Sequence, residues 1–223
     1  MGEVKLPKLK KINPNKKKKK KILCLSDDLR MHSGIATQTK EFVLGTIHKY
    51  DWVQLAGAVK HPDEGKVIDM SEAGRNELGI NDAYLKLYPI TGYGSPDILR
   101  QVLKMENPDA IIHFTDPRFW VWLYQMENEI RQDIPILYYN IWDDLPDPMY
   151  NANYYRSCDM LMSISKQTYG INKRILSKYG FEDWQTDYVP HGVGSKRFFK
   201  IHPDNENFVN FEKKFGFDKY KYK

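Results

Sequence analysis

Seven short runs of almost unbroken apolar residues constrain this chain more than any other feature. Each is closed by polar or acidic residues, and most are separated by stretches of helical periodicity. Ile22-Leu23-Cys24-Leu25 closes on Ser26-Asp27-Asp28, Trp52 to Val59 on Lys60-His61-Pro62, and Ala110 to Phe114 on Thr115-Asp116-Pro117. Ile136 to Trp142 closes on Asp143-Asp144, and Thr186 to Val189 on Pro190-His191-Gly192; Tyr84 to Ile90 and Met160 to Ser165 complete the set. Runs of four to eight mostly apolar residues read as strands buried on both faces, the signature of a parallel sheet covered on each side.

The intervening stretches supply the covers. Ile35, Phe42 and Val43 share one side of a helix over 34–48. Ser95-Pro96-Asp97 gives an N-cap, a proline at the first helical position and an acid in the first turn, and Asn107-Pro108 stops the helix that follows. Phe119, Leu123, Met126 and Ile130 align on one predicted helix, and Ile171, Ile175 and Tyr179 on another. Residues 62–82 are polar and glycine-containing and read as a long excursion. Strand and helix in alternation predict an α/β fold with an open, mostly parallel, doubly wound (Rossmann-like) sheet.

In such a sheet, ligands sit beyond the carboxyl ends of the strands, where the strand order reverses. The polar residues placed there are Asp27, Asp28 and the loop from Arg30 through Ser33 to Gly34, then Thr115 and Asp116, Asp143 and Asp144, Lys166, and His191. Acids at strand ends also cap the helices that follow them. His113, in mid-strand, reads as a core histidine. The dinucleotide fingerprint needs three glycines after the first strand, and Ser33-Gly34-Ile35-Ala36 supplies one; a phosphate-binding P-loop pattern is absent. Asp27, Asp28, Asp116 and Lys166 imitate the acid and lysine set of a phosphoreceiver domain, but their spacings are too long for that compact unit. Two cysteines, Cys24 and Cys158, sit beside apolar residues and read as buried free thiols. They and the scattered histidines offer no metal-ligand spacing.

Net charge separates the chain into two parts. Residues 1–21 hold ten lysines against the single acid Glu3, whereas the other residues carry 24 basic and 28 acidic groups. A block of like charges cannot bury apolar area, so residues 1–20 read as a disordered lysine-rich leader able to touch an anionic surface. The mildly acidic body argues against a dedicated nucleic-acid binder. No apolar run reaches the ~20 residues of a membrane span, and no apolar segment of a signal peptide follows the lysines. A cytoplasmic location, peripheral at an inner membrane face, is the expectation.

Four ordered stretches resemble the N-terminal, acceptor-side domain of a glycosyltransferase with the two-domain GT-B fold, near the family 4 group. Leu25-Ser26-Asp27 followed by Ser33-Gly34-Ile35-Ala36-Thr37-Gln38-Thr39 is similar to that family's first strand and glycine loop. Ile-Leu-Tyr-Tyr-Asn-Ile-Trp-Asp over 136–143 resembles the strand that the family often ends in His-Asp. Ser157-Cys158-Asp159 with Ser163-Ile164-Ser165-Lys166, and Tyr188-Val189-Pro190-His191-Gly192-Val193-Gly194 with Phe198, resemble its later segments. Trp142 stands where the family commonly has histidine, and His191 and Gly194 replace its asparagine and aspartate.

The resemblance implies a nucleotide-sugar donor, a carbohydrate or other hydroxyl acceptor, and transfer with retention, without cofactor or divalent metal. It points to Asp143 and Asp116 as catalytic-site groups. Ser33, Gly34, Arg30, Trp142, Asp144, Lys166 and His191 would bind the donor phosphate or substrate, with the helix N-terminus at Gly34 facing the leaving diphosphate. Residues 21–200 would form this half, and 201–223 a linker and the first helix of a donor-binding half. A non-catalytic carbohydrate-binding or partner-binding module on the same fold is the alternative, and a lysine-anchored partner-recognition protein a further one.

Overall fold

A computed structural model describes residues 18–58, 60, 62–195 and 198–219. An eight-stranded sheet forms the body, built from β1 (Lys20–Asp27), β2 (Tyr50–Gly57), β3 (Ile68–Asp69), β4 (Leu85–Pro89), β5 (Ala110–Phe114), β6 (Ile136–Asn140), β7 (Met160–Ser163) and β8 (Thr186–Tyr188). Its order is β3-β4-β2-β1-β5-β6-β7-β8, parallel throughout except for the short edge strand β3. The chain runs outward from β1 through β2 to β4, then returns to the other flank of β1 with β5. The strand order therefore reverses between β1 and β5, whose registers pair Leu25 with His113 and Ser26 with Phe114.

Both faces of the sheet are dry, as the solid apolar runs require. On one face Leu23, Leu25, Val53, Leu55 and Ile111 pack with Leu99 and Val102 of α3 (Pro96–Glu106) and with Ile171 and Ile175 of α7 (Lys166–Leu176). On the other, Ile22, Cys24, Trp52 and Leu87 pack with Val43 of α1 (Gly34–Thr46) and with Ile47 just beyond it. Ser33 and Ser95 cap α1 and α3 by accepting from Ala36 N and Ile98 N. Cys24 and Cys158 are buried free thiols.

Two expectations change. The polar excursion over 62–82 contains β3 and an eight-residue helix, α2 (Ser71–Leu78). It buries only Ser71 and Gly74, residues too small to leave an apolar stripe in the sequence. The single helix expected through Phe119 and Ile130 is a 3-10 turn over Pro117–Trp120 followed by α4 (Val121–Gln125) and α5 (Glu127–Ile130), broken at Met126. Leu123, Met126 and Ile130 are buried, whereas Phe119 is 55% exposed. Asp116 accepts from Arg118 N and Pro117 follows it, which starts a tight turn ahead of the helix. A short helix, α6 (Ala152–Arg156), precedes β7.

The chain divides into two compact units at Pro190/His191, and the sheet belongs to the first. The second holds α8 (Glu206–Phe215), capped by Asn205 and ended by Gly216 in the left-handed conformation. Most of the lysine run, residues 1–17, lies outside the described residues. Lys19 donates to Ile47 O at 2.9 Å, and Lys20, the first residue of β1, pairs with Asp109 just ahead of β5. Among the described residues, no helix is long and apolar enough to cross a membrane.

Candidate functional site

The polar turns after β1, β4, β5 and β6, at the carboxyl edge of the first unit, are held by side-chain hydrogen bonds. At the end of β1, the buried Gln54 side chain donates to Ser26 Oγ and to Asp27 O, each at 2.7 Å, and its oxygen accepts from Leu29 N. Asp28 is fully buried; its carboxylate takes both Nε and Nη2 of Arg30, which also reaches Asp63 at 3.6 Å. Arg30 is thus engaged within the protein, and the Asp28 carboxylate holds its guanidinium above the ordinary value. Ser33 caps α1 and donates its own proton to Asp27 Oδ2 at 3.1 Å. Gly34 opens α1 with nothing within 4 Å of where a Cβ would stand.

The turn after β4 folds over the same edge. A Cβ on Gly57 would stand 2.6 Å from Gly92 O, and Ala58, at φ +88°, donates to that same carbonyl at 2.7 Å. Glycine at 57 is therefore required by this close approach. Thr91 donates through both its backbone N and its hydroxyl to Glu64, which fixes the turn from the other side. The result is that Tyr93 lies against the switch point. Its ring stacks on Phe119 at 5.0 Å and meets Trp120 edge-on at 5.5 Å. Burial raises its hydroxyl pKa, and the charges of Asp27 and Asp116 push the same way.

Asp116, after β5, accepts from Arg118 through Nε at 3.0 Å to each oxygen, and this holds its carboxyl below the usual value. Behind it, His113 is fully buried, stacked on Tyr138 at 5.1 Å, with Nδ1 2.6 Å from Tyr124 Oη. Burial lowers its pKa to about 3, so the ring is neutral and serves as core.

The turn after β6 is held differently. Asn140 accepts from Trp142 N at 3.0 Å and donates to Asn172 Oδ1 at 2.7 Å; Asn172 in turn donates to Ser163 Oγ at 2.8 Å. All three are fully buried. The start of α7 secures the loop backbone, with Thr168 Oγ1 donating to Trp142 O and Gln167 Nε2 to Asp143 O. Trp142 is half-buried, its indole N–H on Asp144 O at 2.9 Å and its ring edge-on to Tyr150. The Asp143 and Asp144 side chains are exposed, and Lys166 begins α7 close by in sequence.

The structure brings Arg30, Ser33 and Gly34 together after β1, with Asp116 after the neighbouring strand and Trp142, Asp143 and Asp144 after the next. Lys166 heads the helix that braces that last loop. His191 opens the second unit, where burial lowers its pKa. Sequence reasoning missed Tyr93. Its signal was the Gly92-Tyr93-Gly94 triplet, both glycines at positive φ. Among the described residues, no cluster of His, Cys, Asp and Glu is arranged to hold a metal ion.

No protein-family model matches the sequence, and no curated protein matches it. Solved structures do. Anabaena Alr3699/HepE in complex with UDP and glucose matches with a TM-score of 0.51 and 14% identity, over 88% of this chain and 50% of that one. The same protein with UDP-glucose gives 0.52 and 14% over the same shares, and with UDP 0.51 and 13% over 89% and 50%. The chain spans half the length of the solved chains it matches, and the likeness is one of fold: a mostly parallel, Rossmann-like α/β unit like one half of the two-domain GT-B fold.

Proposed function

We propose that this chain forms the acceptor-side wall of a glycosyltransferase that moves a sugar from a nucleotide donor to an acceptor hydroxyl. One observation carries the reading: a fold shared with half of chains solved with UDP and glucose has its polar turns gathered at the carboxyl edge, around the reversal of strand order. Asp116 and Asp143 face the acceptor as hydrogen-bond acceptors for its hydroxyls, and Trp142 offers an aromatic face. The order of the four sequence stretches supports a place near family 4 and transfer with retention. The donor is held chiefly by a second half across the cleft. Binding of a transition state between two walls requires both, so one wall gives almost no rate enhancement.

The 223-residue chain is therefore expected to fold, to bind nucleotide sugars in the millimolar range or weaker, and to transfer none. A longer chain carrying a donor-binding half should transfer sugar. Titration calorimetry with a panel of nucleotide sugars and a radiolabel transfer assay test both. A micromolar Kd or clear turnover by the 223 residues alone would remove the half-enzyme reading; no transfer by the complete protein would remove sugar transfer itself. The lysines before residue 18 support contact with an anionic surface and a cytoplasmic site beside a membrane. Their deletion should abolish binding to anionic vesicles at low salt and leave the thermal midpoint within a degree or two, since a block of like charges cannot bury apolar area.

A further inference from the structure

Asp27 closes β1 at the reversal of strand order, 8% exposed. Its Oδ2 accepts from Ser33 Oγ, while its Oδ1 is buried and has no hydrogen-bond partner. A carboxylate oxygen only accepts, and leaving one buried and unmatched costs stability that most folds avoid. The group sits at the N-terminus of the 13-residue α1, whose dipole favours a negative charge there and is already met by this one. The Asp116 carboxylate lies near enough for both acids to act on the Tyr93 hydroxyl. The nearest cation in sequence, Arg30, is committed to Asp28 and Asp63. An incoming phosphate would meet the like charge of Asp27, with Arg30 already engaged by two carboxylates. A hydroxyl would supply the missing donor.

We propose that the turn from β1 to α1 binds a hydroxyl group of a neutral sugar through Asp27 Oδ1, and turns phosphate away. The inference rests on the sugar-transfer reading for the nature of the ligand. It departs from that reading's family expectation in giving the Gly34 loop a sugar hydroxyl in place of the donor diphosphate. The Tyr93–Phe119 ring stack beside the turn offers the kind of flat apolar surface on which a pyranose packs.

The test uses the whole 223-residue chain, isotope-labelled, with backbone amide signals followed during titration. The probes are neutral methyl gluco-, galacto- and mannopyranosides, inorganic phosphate and UDP. At least one glycoside is expected to move the Gly34, Ile35 and Tyr93 signals, while phosphate and UDP at equal concentration leave Gly34 and Ile35 in place. Asp27→Asn should weaken glycoside binding at least tenfold, the loss of a charge-assisted hydrogen bond, and should allow phosphate to shift Gly34 and Ile35. Phosphate shifting those signals in the unaltered protein, or glycoside affinity unchanged in Asp27→Asn, would overturn the proposal. Should that variant fail to fold by circular dichroism, the unaltered protein's glycoside and phosphate arms still decide. Glycoside shifts confined to Trp142–Asp144 would refute this subsite and leave sugar transfer standing. Binding at Asp27 without transfer by a complete two-domain protein would uphold the subsite and remove the transfer reading.

Discussion

The turns after β1 and after β6 occupy equivalent places on the sheet edge, and each ends in a pair of aspartates, yet they are built in opposite ways. After β1 the carboxylates are buried: Asp28 is sealed against Arg30, and Asp27 meets the cap of α1 with one oxygen and has the other unmatched. After β6 the buried work is done by amides, Asn140 and Asn172, and the aspartates are left at the surface. The first turn spends the Asp28 charge on its own shape. The second holds its backbone with neutral groups and keeps its charges for whatever arrives from solvent. An acid pair at a strand end therefore says where a ligand can come, but its partners decide whether the acid is structure or site.

The sharpest way to break this comparison is at the footing of the second turn. Asn172→Leu strips Asn140 of its acceptor and Ser163 of its donor, both fully buried, and should cost about 3–4 kcal/mol in urea unfolding. A loss under about 1 kcal/mol would mean the amide relay does not hold the Trp142 loop. Arg30→Met probes the first turn. It leaves the Asp28 carboxylate buried without its guanidinium, and should cost about 2 kcal/mol, below the usual figure for a broken buried pair because Arg30 is itself 28% exposed. If Asn172→Leu proved harmless and Arg30→Met severe, charge alone would be holding the edge.

Much of this was legible in the sequence, for a physical reason. A strand buried on both faces must be apolar along its whole length, so β1, β2, β5 and β6 announced themselves, and the strand-end rule then placed Asp27, Asp116 and Asp143 at one edge. What was hidden depends on partners far along the chain. The Asn140–Asn172 bond spans 32 residues, and nothing local marks either amide as buried. Tyr93 reaches the switch point because Gly57 and Gly92 nearly touch, an approach that no periodicity encodes. Helix α2 escaped because it buries a serine and a glycine, and a helix without an apolar stripe has no periodic signal. The acids were found by position; their states came only from the structure.

Asp27→Asn sharpens the contrast with an effect of the other sign. Burial pushes the Asp27 carboxyl above its ordinary value, outweighing the Ser33 hydrogen bond. The native state thus holds that proton more tightly than the unfolded chain does. Below the unfolded pKa both states are protonated and the group costs nothing; as pH rises through the folded value, ionisation in place becomes a penalty. Asparagine keeps the acceptor for Ser33 and removes the charge, so at pH 7 the variant should gain about 1 kcal/mol, roughly 2–4 °C in thermal midpoint. The gain should vanish near pH 3. A midpoint lower at pH 7 than the parent's would show that α1 needs the charge at its N-terminus more than burial opposes it.

Asp143→Asn should have the smallest effect on stability and separates the two turns most cleanly. The side chain is exposed, and the loop is anchored through the Asp143 carbonyl, which the substitution leaves on Gln167. The unfolding free energy should therefore stay within about 0.5 kcal/mol of the parent's at both pH 3 and pH 7, the range of an ordinary surface change. If Asp143 accepts a hydrogen bond from the acceptor substrate, the loss belongs to transfer by a complete two-domain protein, where removing the charge should slow the reaction about tenfold or more. Scanning calorimetry at the two pH values and a transfer assay read these separately. Parent-like transfer with unchanged stability would take Asp143 out of the site and leave the β6 turn as a rigid, solvated corner. Altered stability with unchanged transfer would instead mean that its charge, like that of Asp28, is spent on the fold.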